Sequence, residues 1–136
     1  MPAMDRIIGC GVDIEEPVRF EKYLKSGEGV SGFLKMVFTP EEIARNRALS
    51  PHLSFPLGFS CKEAVFKAFG RSWTNSAIDW KDVELIFGGG RDLSDYQVRL
   101  SGYAKTLFEE MGCTRLDSSF EYHRTHVIFQ VFLIGS

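Results

Sequence analysis

FSCKEAVFKAFG, residues 59–70, is the stretch on which the fold turns. Apolar residues recur at helical spacing from Leu57 to Phe69, and Gly70 is placed to end that helix. Residues four apart share a helix face, so Phe59, Glu63 and Lys67 project together. Val65, Phe66 and Phe69 are left to bury the other side. A Glu and a Lys at this spacing also make an ordinary surface pair, worth about 0.2–0.5 kcal/mol. What lifts the pair above that reading lies elsewhere in the chain.

Towards the N-terminus, Ile7 to Ile14 (IIGCGVDI) is a short β-branched apolar run broken by Gly9 and Gly11. It reads as a buried strand, with Asp13 near its end. A carboxylate on such a strand needs a partner or a metal, because an unpaired buried charge is costly. Oxygen donors of this kind suit Mg²⁺, which takes one or two carboxylates and completes its shell with waters and substrate phosphates. Asp13, Glu63 and Lys67 together would handle a pyrophosphate: the carboxylates hold the cation and the lysine faces the phosphate oxygens.

The remaining segments frame these two. Pro17 suits the first turn of a short helix carrying Val18, Phe20 and Leu24 and ending near Gly27. Residues 26–32 form a loop, and Phe33 to Phe38 is an apolar piece leading into Thr39-Pro40-Glu41-Glu42. That sequence is a capping box with proline at N1, so a helix runs from there to about Leu49. Pro51 and Pro56 bracket a loop. Val83–Phe87 and Tyr96–Leu100 are strands, with Gly88-Gly89-Gly90 at the turn. This glycine run lacks a following lysine and helix, so it is not a phosphate loop. Tyr103 to Met111 is a helix closed by Gly112. Leu116–Tyr122 and His126–Ile134 are the last strands, the second apolar enough to be central. The order predicts an α+β fold, a largely antiparallel sheet packed with helices, in one domain over residues 1–136.

Composition narrows the class. The chain has 136 residues, 44% hydrophobic and 25% charged, with net charge −2. That is a globular balance with no bulk charge for nucleic acid or membrane. Cys10, Cys61 and Cys113 are odd in number and widely spaced, which excludes a disulfide framework and a CxxC zinc site. The first residues turn acidic before any long apolar run, so neither a signal peptide nor a membrane span is expected. A reducing, cytoplasmic setting is expected.

The pair GCGVDIEEPVRF (9–20) and FSCKEAVFKAFG (59–70), with FTPEEI (38–43) between, resembles the signature motifs of the holo-acyl-carrier-protein synthase branch of the 4′-phosphopantetheinyl transferases. The resemblance covers Ile7 to Gly70. It implies that fold and Mg²⁺ on Asp13 and Glu63. It further implies phosphate contact from Lys67, with Lys62 a second candidate for coenzyme A. Arg19 would help dock an acidic helix of an acyl carrier protein, with Lys22 and Lys25 behind it. A homotrimer is implied too. The reaction implied is transfer of phosphopantetheine from coenzyme A to a carrier serine. Its general base is either Glu63 or a water held by Asp13 and the metal.

The second half departs from the family pattern. A Ser-x-Ser-His segment is expected before the last strand, and the histidine position falls on Tyr122, or on His123 after a one-residue shift. His123 is therefore a candidate coenzyme A contact. His123 and His126 also have the spacing of a metal pair, or of solvent-facing turn histidines. Arg71 is placed to meet a phosphate, and Trp73 to pack on a base or in the core. Two other classes stand beside the transferase: a family member that binds coenzyme A or a carrier without turnover, and a structural trimer.

Overall fold

The computed structural model describes residues 4–25, 31–71, 77–89 and 92–136. Strand β1 (Arg6–Glu15) leads into a 3₁₀ turn (Pro17–Phe20) and the one-turn helix α1 (Glu21–Leu24). Helices α2 (Gly32–Val37), α3 (Pro40–Ala48) and α4 (Pro51–Ala68) follow. A 3₁₀ turn (Trp80–Asp82) opens strand β2 (Val83–Phe87), which pairs antiparallel with β3 (Tyr96–Leu100). Helix α5 (Gly102–Glu110) precedes β4 (Cys113–Tyr122) and β5 (Val127–Gly135). The larger sheet has the order β1-β5-β4, all antiparallel, with β5 central as its apolar run requires.

Helix α4 lies across β1 and β5, and two glycines let it come close. A Cβ on Gly11 would collide with the Ala64 carbonyl oxygen, and one on Gly9 with that of Ala68. Helix backbone therefore rests directly on strand backbone. Ala64 and Ala68 are the small helix residues at the contact, and both are buried. The far side of α4 packs on Phe38, Trp80 and β2. Phe38 meets Phe55 edge-on at 5.2 Å, and Phe66 meets Trp80 at 5.1 Å.

The capping box at Thr39 forms in full: Glu42 N–H donates to Thr39 Oγ1 and Thr39 N–H to Glu42 Oε1. Gly70 has φ +72 and closes α4, with Arg71 N–H reaching back to the Phe66 carbonyl at 2.8 Å. That is the Schellman arrangement, which places a glycine where the helix must reverse its backbone.

Four local expectations change. Pro56 is inside α4 rather than in a loop, and the helix starts at Pro51. Proline forfeits one backbone hydrogen bond there. Residues 54–58 are all buried, so packing fixes the helix despite that loss. Phe33 to Phe38 is largely helical, as α2, because Ser31 caps it by accepting from Leu34 N–H at 3.2 Å. The Pro17 segment is a 3₁₀ turn plus one α turn ending at Leu24, while Gly27 lies outside the described residues. Strand β4 starts at Cys113, earlier than the apolar alternation indicates, because it pairs with β5 from that residue onward.

Candidate active site

The site forms where the end of β1 meets the middle of α4. Asp13 is on the inward face of β1, opposite Phe129 of β5, and is 7% exposed. Two α4 side chains stitch the helix to this point. Ser60 Oγ donates to the Asp13 carbonyl at 3.0 Å, and Lys67 Nζ donates to the Val12 carbonyl at 3.0 Å. Lys67 also holds Asp13 Oδ1 at 3.0 Å. Glu63 lies between Ser60 and Lys67 on the same helix face, so three of the expected residues, Asp13, Glu63 and Lys67, come together.

Glu15 joins them, and the motif reading passed over it. Strand residues two apart share a face, so Glu15 follows Asp13 to the inner side. Its carboxyl therefore feels the negative charge of Asp13. Burial first, then the Asp13 and Glu63 carboxyls, push Glu15 up to about 8, with Arg19 pulling the other way. Burial and then Asp13 also raise Glu63, against the pull of Lys67. Three carboxyls thus crowd one corner, where Lys67 faces Asp13 and Glu63 while Arg19 faces Glu15.

A divalent cation would relieve that imbalance. Asp13 Oδ2 is buried and has no hydrogen-bond partner. An all-oxygen donor set with an orphaned carboxylate oxygen fits a hard cation such as Mg²⁺. Among the described residues no three acidic, His or Cys groups already form a ready cage. This agrees with the habit of Mg²⁺, which draws much of its shell from water and phosphate.

Lys62 is not part of the site, a correction to the expectation that it meets coenzyme A. It is fully buried, and its ammonium donates to Glu42 Oε1 at 2.8 Å, to the Trp80 carbonyl at 3.0 Å and to the Val83 carbonyl. All three donors are used, so none is left for a phosphate. Glu42 is equally occupied, since Oε2 accepts from Leu85 N–H at 3.2 Å. The pair ties α3, α4 and β2 together.

The other expected residues are exposed. Arg71 follows Gly70 at the C-terminal end of α4, and Trp73 lies outside the described residues. His123 stands in the β4–β5 turn, its Nε2 3.3 Å from Glu121 Oε2. His126 is exposed in the same turn, its carbonyl accepting from His123 N–H at 2.7 Å.

Arg19, Lys22 and Lys25 rim a groove of about 700 Å³ that begins at Glu15. Its floor includes Phe20, Phe33 and Phe59, which touch edge-on or tilted at 5.5–6.2 Å. Arg19 and Lys25 make only loose surface pairs, to Glu16 at 3.7 Å and Glu21 at 3.6 Å. Their charges remain available to an acidic partner.

Residues 9–119 match the model of the 4′-phosphopantetheinyl transferase superfamily. A holo-[acyl-carrier-protein] synthase of Geobacter sp. (strain M21) is 34% identical over 109 residues, 78% of this chain and 81% of that protein. One from Trichlorobacter lovleyi is 30% identical over 93% of this chain and 97% of its own. An acyl carrier protein synthase of Plasmodium yoelii, solved with ADP bound, superposes with TM-score 0.78 at 25% identity. That match covers 98% of this chain and 99% of the other. The α+β architecture and these matches make the chain a phosphopantetheinyl transferase, and it belongs to the holo-acyl-carrier-protein synthase branch of that superfamily.

Proposed function

We propose that this protein moves the 4′-phosphopantetheine group of coenzyme A onto a serine of an apo acyl carrier protein or similar carrier domain. The serine oxygen bonds to the β-phosphorus of coenzyme A, the bond to the bridging oxygen breaks, and 3′,5′-adenosine bisphosphate leaves. The carrying observation is the buried, orphaned Asp13 Oδ2 beside Glu63 and Lys67.

Asp13 and Glu63 would hold Mg²⁺, which supplies positive charge to the pyrophosphate oxygens when bound. Lys67 spends two of its donors on Asp13 and Val12, and its third is free for a phosphate oxygen. The side chain is half exposed, so that donor is reachable. The serine proton goes to Glu63, or to a water beside Asp13. In this reading Arg71, exposed one residue beyond the α4 cap, and His123 in its exposed turn contact the nucleotide phosphates.

Arg19, Lys22 and Lys25 dock the carrier's acidic helix, and the aromatic groove floor takes an apolar side chain from it. A homotrimer is the assembly we assign. The sheet face turned away from α4 supports it, with Val12 43% and Ile14 57% exposed. Such an apolar face favours a second copy. Residues 1–136 act as one domain, and no helix among the described residues is long and apolar enough to cross a membrane. The cytoplasm is the compartment proposed.

Intact mass of an apo acyl carrier protein after incubation with this protein, coenzyme A and Mg²⁺ tests the reading. The carrier should gain one phosphopantetheine, and chelating the Mg²⁺ should prevent it. An unchanged mass across several apo carriers would overturn it.

A further inference from the structure

We infer that Ser60 is a positioning residue for the cation site: its hydroxyl fixes the main chain of Asp13 and, through it, the direction of the carboxylate. The inference rests on the cation-dependent reading above and extends it to a group that touches neither cation nor substrate. Helix α4 and strand β1 meet in a repeating row. Four helix residues advance about 6 Å and two strand residues about 6.7 Å, so the two elements keep step. Ala68 faces Gly9, Ala64 faces Gly11, and Ser60 faces Asp13. At the first two steps alanine suffices, because main chain rests on main chain. At the third, a fully buried hydroxyl donates to the Asp13 carbonyl at 3.0 Å.

A serine inside a helix commonly bonds back to the carbonyl four residues earlier, here that of Pro56. Ser60 instead spends its one donor on the strand. Lys67 takes the Val12 carbonyl and Asp13 Oδ1, each at 3.0 Å. The peptides on both sides of the Asp13 Cα are therefore held from α4, one by Lys67 and the other by Ser60. Fixing both peptides fixes where the Cβ points, and so where the unpartnered Oδ2 is presented. Ser54 is a built-in control. It is on the same helix and fully buried, and its hydroxyl also donates to carbonyls, of Asn46 at 3.0 Å and Leu49 at 2.9 Å. Those belong to α3 and its C-cap, not to β1.

The measurement is Mn²⁺ affinity of the full chain, followed by electron paramagnetic resonance of the free ion, for wild type, S60A, S60T and S54A. S60A should bind about tenfold more weakly than wild type. S60T keeps the hydroxyl and should return to within about threefold of wild type. S54A should stay within the same threefold range, although its melting temperature in chelator, read by circular dichroism, falls as well. Equal affinity of S60A and wild type overturns the inference and leaves the transferase reading standing. Equal losses in S60A and S54A also overturn it, because general loosening of α4 would then suffice. S60T binding as weakly as S60A would overturn it too, since the hydroxyl would not be what matters. No Mn²⁺ binding by wild type would remove the cation-dependent reading, and this inference with it.

Discussion

Lys62 and Lys67 sit on one helix, five residues apart, and belong to two different regions. On the face of α4 turned to α3 and β2, Lys62 and Glu42 have every donor and acceptor matched. On the face turned to β1, three carboxyls crowd together, Lys67 faces only Asp13 and Glu63, and Asp13 Oδ2 is left over. Both regions carry buried charge, yet only one is saturated. Saturation marks a group that holds structure; a deficit marks a group that waits for something to bind.

The largest effect should come from the unsaturated face. D13N and E63Q should each lower carrier modification at least about a thousandfold, the loss expected when charge stabilisation is removed from a transfer site. Their melting temperatures should not fall, because the unsaturated region contributes repulsion. Turnover near wild type in either variant would remove the proposed cation site.

The saturated face should show the reverse pattern. K62M leaves Glu42 buried and unpaired, and should cost about 3–5 kcal/mol in urea unfolding. Pairing it with E42L should recover most of that loss, since a buried ion pair is often replaceable by apolar volume. If K62M unfolds like wild type but loses activity alone, the division between the faces fails.

A pH titration sharpens the same contrast. Glu15 keeps its proton in the folded, cation-free protein up to about 8, while in the unfolded chain it ionises near 4.5. Between those values the folded state holds the extra proton, so stability falls as pH rises. Below 4.5 both states are protonated and above 8 both are ionised, so this contribution is flat there. Melting temperature in chelator should decline across that window, and E15Q should decline less. Glu63, raised in the same direction, should retain part of the slope. An identical decline in E15Q would separate Glu15 from the cluster.

The smallest effect concerns thiols. Burial pushes the Cys61 thiol up, whereas Cys10 is exposed on β1. Iodoacetamide should label Cys10 in the folded protein and Cys61 only after unfolding, read by peptide mass. Early labelling at Cys61 would show α4 opening locally.

The corner of the site was legible because its spacing is local: Glu63 and Lys67 are one turn apart, and Asp13 ends an apolar run. Strand order followed in part, from the apolar character of β5. Lys62 misled because it adjoins Glu63 in sequence but lies about 100° away around the helix. Its spacing to Phe55, Phe66 and Phe69 signals the buried face, yet its partner Glu42 is twenty residues away and unreadable from either segment alone. Glu15 carried a signal, the two-residue alternation with Asp13, that motif matching passes over. The start of α4 was hidden because Pro56 argues locally for a break, and only burial of residues 54–58 outweighs it.

Gly9 and Gly11 have a consequence for how the site can change over time. Because α4 meets β1 backbone to backbone at Gly9 and Gly11, the separation of Asp13 from Glu63 is set largely by peptide geometry and little by whichever side chains fill the core. The surrounding core can drift in composition while the reactive corner keeps its dimensions. Strand and helix together form a two-piece jig that another scaffold could receive, provided the two glycines travel with it.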